Sequence, residues 1–167
     1  IVFVEDLTAE EKAKLFKEKT GKALPAGLVN LGNTCYMNSL VQVLGKSKEL
    51  KDGIYSFQAD PSDSNPDTQL VTAAKGMYKD LESKGESFPP YGFVQTLRML
   101  NPQVDETDEQ GRHRQQDAQE CFQAIIRSFV GANMKREVAG EEVNLVKNLF
   151  NIDFSVKLKN TQSEEEE

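Results

Sequence analysis

Apolar residues recur at intervals of three and four along several stretches of the chain. These stretches cover residues 35–44, 70–81, 89–100 and 117–129. Such spacing puts apolar side chains on one face of an α-helix, so each stretch predicts an amphipathic helix that packs on a common core. Gly45 is a natural end for the first of these helices, and Pro102 limits the third.

Two further helices are predicted from their end signals. Thr8 and Glu11 form a capping box, which starts a helix that runs to about Lys19 and stops before Gly21. A second, short helix is predicted over residues 49–55. The first of the two carries few apolar residues, so we expect it to pack loosely or to act as a linker.

The end of the chain follows a different pattern. Over residues 150–158, apolar side chains alternate with polar ones, which predicts a half-buried β-strand whose sheet partners lie beyond this chain. Residues 59–66 and 105–114 are polar and lack periodicity, so both are predicted to be loops, the second a mobile one. The chain is therefore predicted to be mostly helical, with one strand.

Cys35 is the residue whose chemistry stands out. It falls in the first turn of its helix, where free backbone N–H groups and the positive end of the helix dipole favour a thiolate. Asn30 supplies a side-chain amide five residues earlier, and Gly32 gives the intervening loop backbone freedom. Acyl transfer needs an attacking sulfur and a donor for the developing oxyanion, and this stretch offers both. A lone cysteine is more often a small buried hydrophobic residue, and spacing alone leaves that alternative open.

Two longer motifs resemble a known family. The run over residues 27–45 resembles the cysteine box of the ubiquitin-specific proteases, which are papain-like deubiquitinases, and the run over 115–122 resembles that family's second box. The resemblance implies an α+β papain-like cysteine protease fold, of which this chain forms mostly the helical lobe plus one strand at its C-terminal end. It also implies that residues 24–167 are the N-terminal half of the catalytic domain, and residues 1–23 a linker with a short helix.

Shorter segments narrow the resemblance to the proteasome-associated branch of that family. These segments are residues 2–6, 24–27, 102–103 and 110–111. The implied reaction is hydrolysis of the isopeptide or peptide bond after the C-terminal glycine of ubiquitin, and the implied partners are ubiquitin, ubiquitinated proteins and the proteasome. The alternative is a non-catalytic fragment that binds ubiquitin or the proteasome, because the family's histidine box is not recognisable in this chain.

The resemblance also implies roles for individual residues. Cys35 would be the nucleophile, and Asn30 would help to hold the oxyanion. Asp117 and Glu120 would receive the arginine-rich tail of ubiquitin, with Gln116 orienting their loop. The alternative is that each acid only stabilises the N-terminus of its helix through its negative charge. That role needs no ligand.

Two other residues with reactive side chains are given structural roles. His113, the only histidine, lies between two arginines in a polar loop, and nothing before it resembles the family's histidine box. We therefore interpret it as a loop residue and expect the general base to come from a segment C-terminal to this chain. Cys121 lies on the apolar stripe of its helix and is predicted to belong to the core.

Composition and charge limit the possible functions. A length of 167 residues suffices for one domain with its own core. The net charge of −7 argues against a nucleic-acid-binding protein and suits a partner with a basic surface, such as the ubiquitin tail. The two cysteines provide no disulfide framework, so a reducing cytoplasmic or nuclear setting is expected. The sequence contains no signal-peptide pattern, no run of membrane-spanning length and no CxxC pair for zinc, and we predict no cofactor or metal.

Overall fold

The described part of the chain folds into seven α-helices and one two-stranded sheet. The computed structural model describes residues 6–21, 26–60, 62, 64–84, 86–152 and 155–156. In chain order the elements are α1 Ala9–Thr20, α2 Cys35–Leu44, α3 Lys48–Ser56, α4 Asp67–Ser83, α5 Tyr91–Leu100, a 3₁₀ helix Pro102–Val104, α6 Ala118–Gly131, β1 Lys135–Val138, β2 Glu141–Asn144 and α7 Leu145–Phe150. None of these helices is long and apolar enough to cross a membrane.

Helices α2, α4, α5 and α6 build the core. Helix α4 packs against both α5 and α6, and α6 also packs against α2. The side chains that the spacing placed on one face are the ones that become buried, and Leu70, Leu97 and Ile125 are completely inaccessible. Burying one such side chain contributes about 1.5–3 kcal/mol, so the helical register that turns them all inward is strongly favoured. The four predicted amphipathic helices are confirmed.

Helix α1 begins and ends where its sequence predicts. The Thr8 hydroxyl accepts the Glu11 backbone N–H, and the Glu11 carboxylate accepts the Thr8 backbone N–H. The Thr8 hydroxyl also donates to that carboxylate at 2.8 Å, and the bonds donated by the Thr8 backbone N–H and then by its hydroxyl hold the pKa of Glu11 below its usual value. Gly21 closes the helix in the left-handed conformation, with a φ of 69°. The short helix expected over residues 49–55 is confirmed as α3.

The small sheet is an element that the sequence analysis did not predict. Strands β1 and β2 pair antiparallel, with Lys135 opposite Asn144. Three of the four residues in each strand are charged or polar, so no alternation of apolar and polar positions marks them. Ala139 and Gly140 form the turn with φ values of 53° and 87°, both left-handed. Asn-Gly would have been a much stronger signal for such a turn than Ala-Gly.

The strand predicted over residues 150–158 is wrong where the structure describes this stretch. Phe150 is the last residue of α7, and residues 151, 152, 155 and 156 lie in no strand. The other residues of the stretch lie outside the described ranges. Asn144 caps α7 by accepting the Val146 backbone N–H, and Val146 is buried. The helix satisfies its own backbone groups, whereas a strand needs a neighbouring strand to pair with.

The polar segment over residues 105–114 is a loop, as predicted, but contacts within it give it a defined internal structure, whereas its sequence had predicted a mobile loop. The Asp108 carboxylate accepts the backbone N–H of Arg112 and pairs with its guanidinium. The Arg112 backbone N–H, more than the guanidinium, holds the pKa of Asp108 below its usual value. Thr107 and His113 form an antiparallel bridge at the base of the loop. The loop therefore delivers the chain to α6 along a fixed path.

Candidate active site

Cys35 is the first residue of α2, as predicted, and its side chain is exposed. The helix behind it is firmly anchored, because Tyr36, Met37 and Val41 are buried in the core. The first backbone N–H groups of a helix have no partner within the helix and carry partial positive charge. The sulfur is thus presented to solvent from a rigid support at an electropositive helix end.

The Asn30 side chain organises the loop that leads to Cys35. Its Oδ1 accepts the backbone N–H groups of Gly32 (3.1 Å) and Thr34 (3.0 Å) and the Thr34 hydroxyl (3.2 Å). Thr34 is completely buried, and its Oγ1 in turn accepts the Leu31 backbone N–H at 2.9 Å. With Oδ1 held inside the loop, the Asn30 NH₂ group donates to no acceptor among the described residues. It is therefore available to an anionic oxygen outside the loop.

The backbone before Cys35 makes a tight turn that is tied to α2. Gly32 and Asn33 both adopt positive φ values, 89° and 56°. Glycine pays no steric penalty there, and asparagine tolerates the left-handed region better than most residues. One turn into α2, the Asn38 amide donates to the backbone carbonyls of Leu28 and Val29 at 3.3 and 3.2 Å. The loop and the helix therefore hold each other in place.

A residue that the sequence analysis did not single out lies beside the sulfur. The Nε2 atom of Gln115 is 3.7 Å from Cys35 Sγ, within reach of an N–H···S hydrogen bond. Gln115 stands three residues before α6, and α6 packs against α2. The N-termini of the two helices therefore converge near the thiol. Gln115 lies within the second motif, but nothing in the spacing indicated which of its polar side chains would reach Cys35.

The three residues predicted to receive the ubiquitin tail lie at the start of α6 in different environments. Asp117 is the N-cap, and its Oδ1 accepts the backbone N–H groups of Gln119 and Glu120 at 2.6 and 3.3 Å. The exposed Glu120 carboxylate makes no hydrogen bond or ion pair within the described residues. Gln116 is half-buried, and its Nε2 is inaccessible and lacks a partner there. The capping role of Asp117 is confirmed, and the ubiquitin-binding role stays a prediction.

His113 lies in a cluster with Asp105 and Arg98. Its Nδ1 lies 2.8 Å from Asp105 Oδ1, and the same oxygen lies 3.2 Å from Arg98 Nε. Within the described residues, no hydrogen bond links the imidazole to Cys35 Sγ. The backbone carbonyl of His113 does reach the cysteine loop, because it accepts the Asn33 amide at 2.9 Å. His113 is a loop residue, as predicted, and the described residues place no base against the thiol.

The second cysteine differs from Cys35 in its accessibility. Cys121 is completely buried, and burial raises the pKa of its thiol to about 12. Its assignment to the core is confirmed, and Cys35 is the accessible thiol of the two. In the described ranges, no group of three His, Cys, Asp or Glu side chains is placed to hold a metal ion.

The fold and the site together define a class. A helical lobe that presents an exposed cysteine at a helix N-terminus, with an amide-bearing loop just before it, has the architecture of a papain-like fold. A family model described as ubiquitin carboxyl-terminal hydrolase matches residues 26–166. This chain belongs to the ubiquitin carboxyl-terminal hydrolase family.

Individual relatives agree with the family match. Ubiquitin carboxyl-terminal hydrolase 6 of Arabidopsis thaliana is 36% identical over 169 residues, which cover 99% of this chain and 33% of the relative. Ubiquitin carboxyl-terminal hydrolase 6 of Schizosaccharomyces pombe is 35% identical over 136 residues, 78% of this chain and 27% of the relative. Ubiquitin carboxyl-terminal hydrolase 14 of Caenorhabditis elegans is 30% identical over 167 residues, which cover 95% of this chain and 32% of the relative. The chain thus spans about a third of the length of these relatives.

Proposed function

We propose that the protein containing this chain hydrolyses the isopeptide or peptide bond after the C-terminal glycine of ubiquitin. Cys35 Sγ attacks the glycine carbonyl, and the Asn30 NH₂ group donates to the oxyanion that forms. A histidine outside this chain takes the thiol proton and passes it to the leaving amine. Water then hydrolyses the thioester, and the cysteine is regenerated.

One observation carries this proposal above the others. The exposed Cys35 begins a buried helix, and the loop before it uses only the Oδ1 of Asn30, so that the amide donor is left free. Gln115 places its Nε2 atom 3.7 Å from Cys35 Sγ and is the amide that lies beside the sulfur among the described residues. A nucleophile with nearby fixed donors is the arrangement that acyl transfer requires.

An electrophilic ubiquitin probe tests the proposal. When the C-terminal carboxyl of ubiquitin is replaced by an alkyne, the probe forms a covalent adduct only with a correctly placed nucleophilic thiol. We expect the full protein to gain the mass of one ubiquitin, and Cys35→Ala to gain none while it still binds ubiquitin with nearly unchanged affinity. Cys121→Ala is the matched control and should be labelled like the wild type. An adduct on the Cys35→Ala variant would place the nucleophile elsewhere.

The proposed partners follow from charge and from the sequence resemblance. Asp117 and Glu120 would accept the arginines of the ubiquitin tail, and both lie in the part of the chain that follows Gln115 into α6. The tail would therefore approach along α6 towards the thiol. Association with the proteasome is supported by the short segments that resemble the proteasome-associated branch. A cytoplasmic or nuclear setting is supported by two cysteines that are both free.

A non-catalytic ubiquitin-binding role is the second candidate for this chain taken alone. It is favoured by the engagement of His113 with Asp105 and by the lack of a base at the thiol within the described residues. The same probe separates the two candidates. The isolated 167-residue chain should react far more slowly than the full protein, and adding the C-terminal part should restore the rate. Equal rates would remove the need for a histidine from outside the chain.

A further inference from the structure

The cluster of Arg98, Asp105 and His113 has no role in the proposed chemistry, but it fixes the base of the loop over residues 105–114. One oxygen of Asp105 lies 3.2 Å from Arg98 Nε and 2.8 Å from His113 Nδ1. Arg98 belongs to the core helix α5, and its side chain is only 12% exposed. A largely buried guanidinium is always charged and needs an acceptor. None of these three atoms has a hydrogen bond of good geometry within the described residues, so the contact is one of charge and proximity, and through it Asp105 lies between His113 and the core.

From His113, two connections lead to the nucleophile. The His113 carbonyl accepts the Asn33 amide at 2.9 Å, and Asn33 stands in a left-handed conformation two residues before Cys35. In the other direction, Gln115 follows His113 by two residues and reaches Cys35 Sγ at 3.7 Å. A displacement of the His113 backbone would therefore move both the turn before the cysteine and the donor beside its sulfur.

We propose that Asp105 is a positioning residue for Cys35, which acts by holding His113 against Arg98 and thereby fixes the Asn33 turn and the Gln115 amide. Asp105 does not touch the reacting atoms. Its influence on ubiquitin hydrolysis rests on the proposed function, whereas its influence on the reactivity of the Cys35 thiol does not. Misplacement of a reacting group by 1 Å can cost about 10²-fold in rate, so a small shift at this contact has a measurable effect.

The variants that test this inference each remove one connection. Asp105→Asn keeps the shape of the side chain and removes the charge that faces Arg98 and His113. Asn33→Gly keeps the left-handed turn and removes the amide that binds the His113 carbonyl. Glu106→Gln is the matched control, because it removes the adjacent charge from an exposed side chain that has no hydrogen bond or ion pair within the described residues.

The first readout is the rate at which iodoacetamide alkylates the thiol in this chain at neutral pH. Cys121 is inaccessible in the folded protein, so the loss of free thiol reports Cys35. We expect about threefold slower alkylation in both Asp105→Asn and Asn33→Gly, because the cysteine turn and the Gln115 amide beside the sulfur lose their fixed positions. The control should react at the wild-type rate. Both changes act on the same path, which runs from Asp105 through His113 to Asn33. The double variant should therefore be no slower than the slower single variant.

The second readout is the split between kcat and KM in the full protein with a fluorogenic ubiquitin substrate. Asp105→Asn should lower kcat by about tenfold and leave KM nearly unchanged, because the nucleophile is displaced and the ubiquitin-binding surface is not. Urea unfolding of each variant checks that it is folded. If Asp105→Asn does not fold, the same kcat and KM measurement on Asn33→Gly tests the inference instead. That variant leaves no buried charge unpaired.

The outcomes are distinguishable. Wild-type alkylation in Asp105→Asn, or in Asn33→Gly, overturns the inference. So does equal slowing in the Glu106→Gln control, because it would show a general effect of charge. If the wild-type full protein fails to cleave ubiquitin while the alkylation differences persist, the proposed function fails and the positioning role of Asp105 stands.

Discussion

Replacing Asp117 by asparagine should separate the two roles that this residue combines. Its Oδ1 caps α6 by accepting two backbone N–H groups, at 2.6 and 3.3 Å. The negative charge of the same carboxylate is available to a basic peptide. Asparagine offers the helix the same oxygen and is about as good an N-cap as aspartate, but it carries no charge. Asp117→Ala, in contrast, removes both the cap and the charge.

The expected magnitudes follow from these contacts. Loss of the cap in Asp117→Ala should lower the free energy of unfolding by about 1 kcal/mol. Asp117→Asn should lower it by at most about 0.5 kcal/mol, the interaction of an exposed charge with the helix dipole. An exposed carboxylate–arginine pair contributes up to about 1 kcal/mol to binding, which is about fivefold in Kd. Asp117→Asn should therefore weaken ubiquitin binding by up to about fivefold, and adding Glu120→Gln should weaken it further.

Two measurements check this prediction. Urea unfolding of the three proteins gives the stability differences. Titration of ubiquitin onto the full protein, carrying Cys35→Ala to prevent turnover, gives Kd at low and at high ionic strength. If Asp117→Asn binds like the wild type at both ionic strengths, Asp117 serves only as a helix cap. If Asp117→Asn is as unstable as Asp117→Ala, the argument that asparagine preserves the cap is wrong.

Three further predictions concern the site and the core. Asn30→Asp keeps the oxygen that closes the cysteine loop but loses the free NH₂ group, so kcat should fall by about 10²-fold with little change in KM; a change in KM alone would make Asn30 a substrate-binding residue. His113→Ala removes the imidazole that contacts Asp105, so kcat of the full protein should fall by about tenfold, as in Asp105→Asn, with little change in KM; complete loss of hydrolysis would instead identify His113 as the base. The pKa of Cys121 rises from 9.0 to about 12 on folding, so its contribution to stability is complete below pH 9 and is lost as the pH rises towards 12. The urea midpoint should accordingly fall above pH 9, and it should fall less in Cys121→Ala.

The helical core and the start of α2 could be predicted because both depend on local signals. The apolar stripes that gave α2, α4, α5 and α6 are a direct consequence of burial on one side of each helix, and a period of 3.6 residues is visible in any stretch of ten. The position of Cys35 in the first turn of α2 followed from the same pattern, whereas its exposure is known only from the structure. The capping box of Thr8 and Glu11 is equally local.

Elements that depend on distant contacts could not be predicted in this way. The β1–β2 hairpin pairs charged strands through a turn with a weak sequence signal. Residues 145–150 form a helix because Asn144 caps it and Leu145 and Val146 are buried against other helices, which no local alternation reveals. Gln115 and Cys35 are 80 positions apart, so only the packing of α6 on α2 brings them together. The same is true of the link between Asn33 and His113.

The charges around the thiol show how one small site can meet two opposite demands. The proposed attack would need an electropositive surrounding for the oxyanion, and the first N–H groups of α2 would supply it. A basic peptide needs carboxylates close by. Asp117 shares its charge with the first N–H groups of α6, which fixes its position but weakens its field, whereas Glu120 has no such partner within the described residues. Because the carboxylates belong to α6 and the thiol to α2, the negative charge can attract a basic tail without occupying the donors that face the sulfur. Removing the two charges one at a time therefore measures different quantities: Asp117 reports a fixed contact, and Glu120 reports long-range attraction that salt screens.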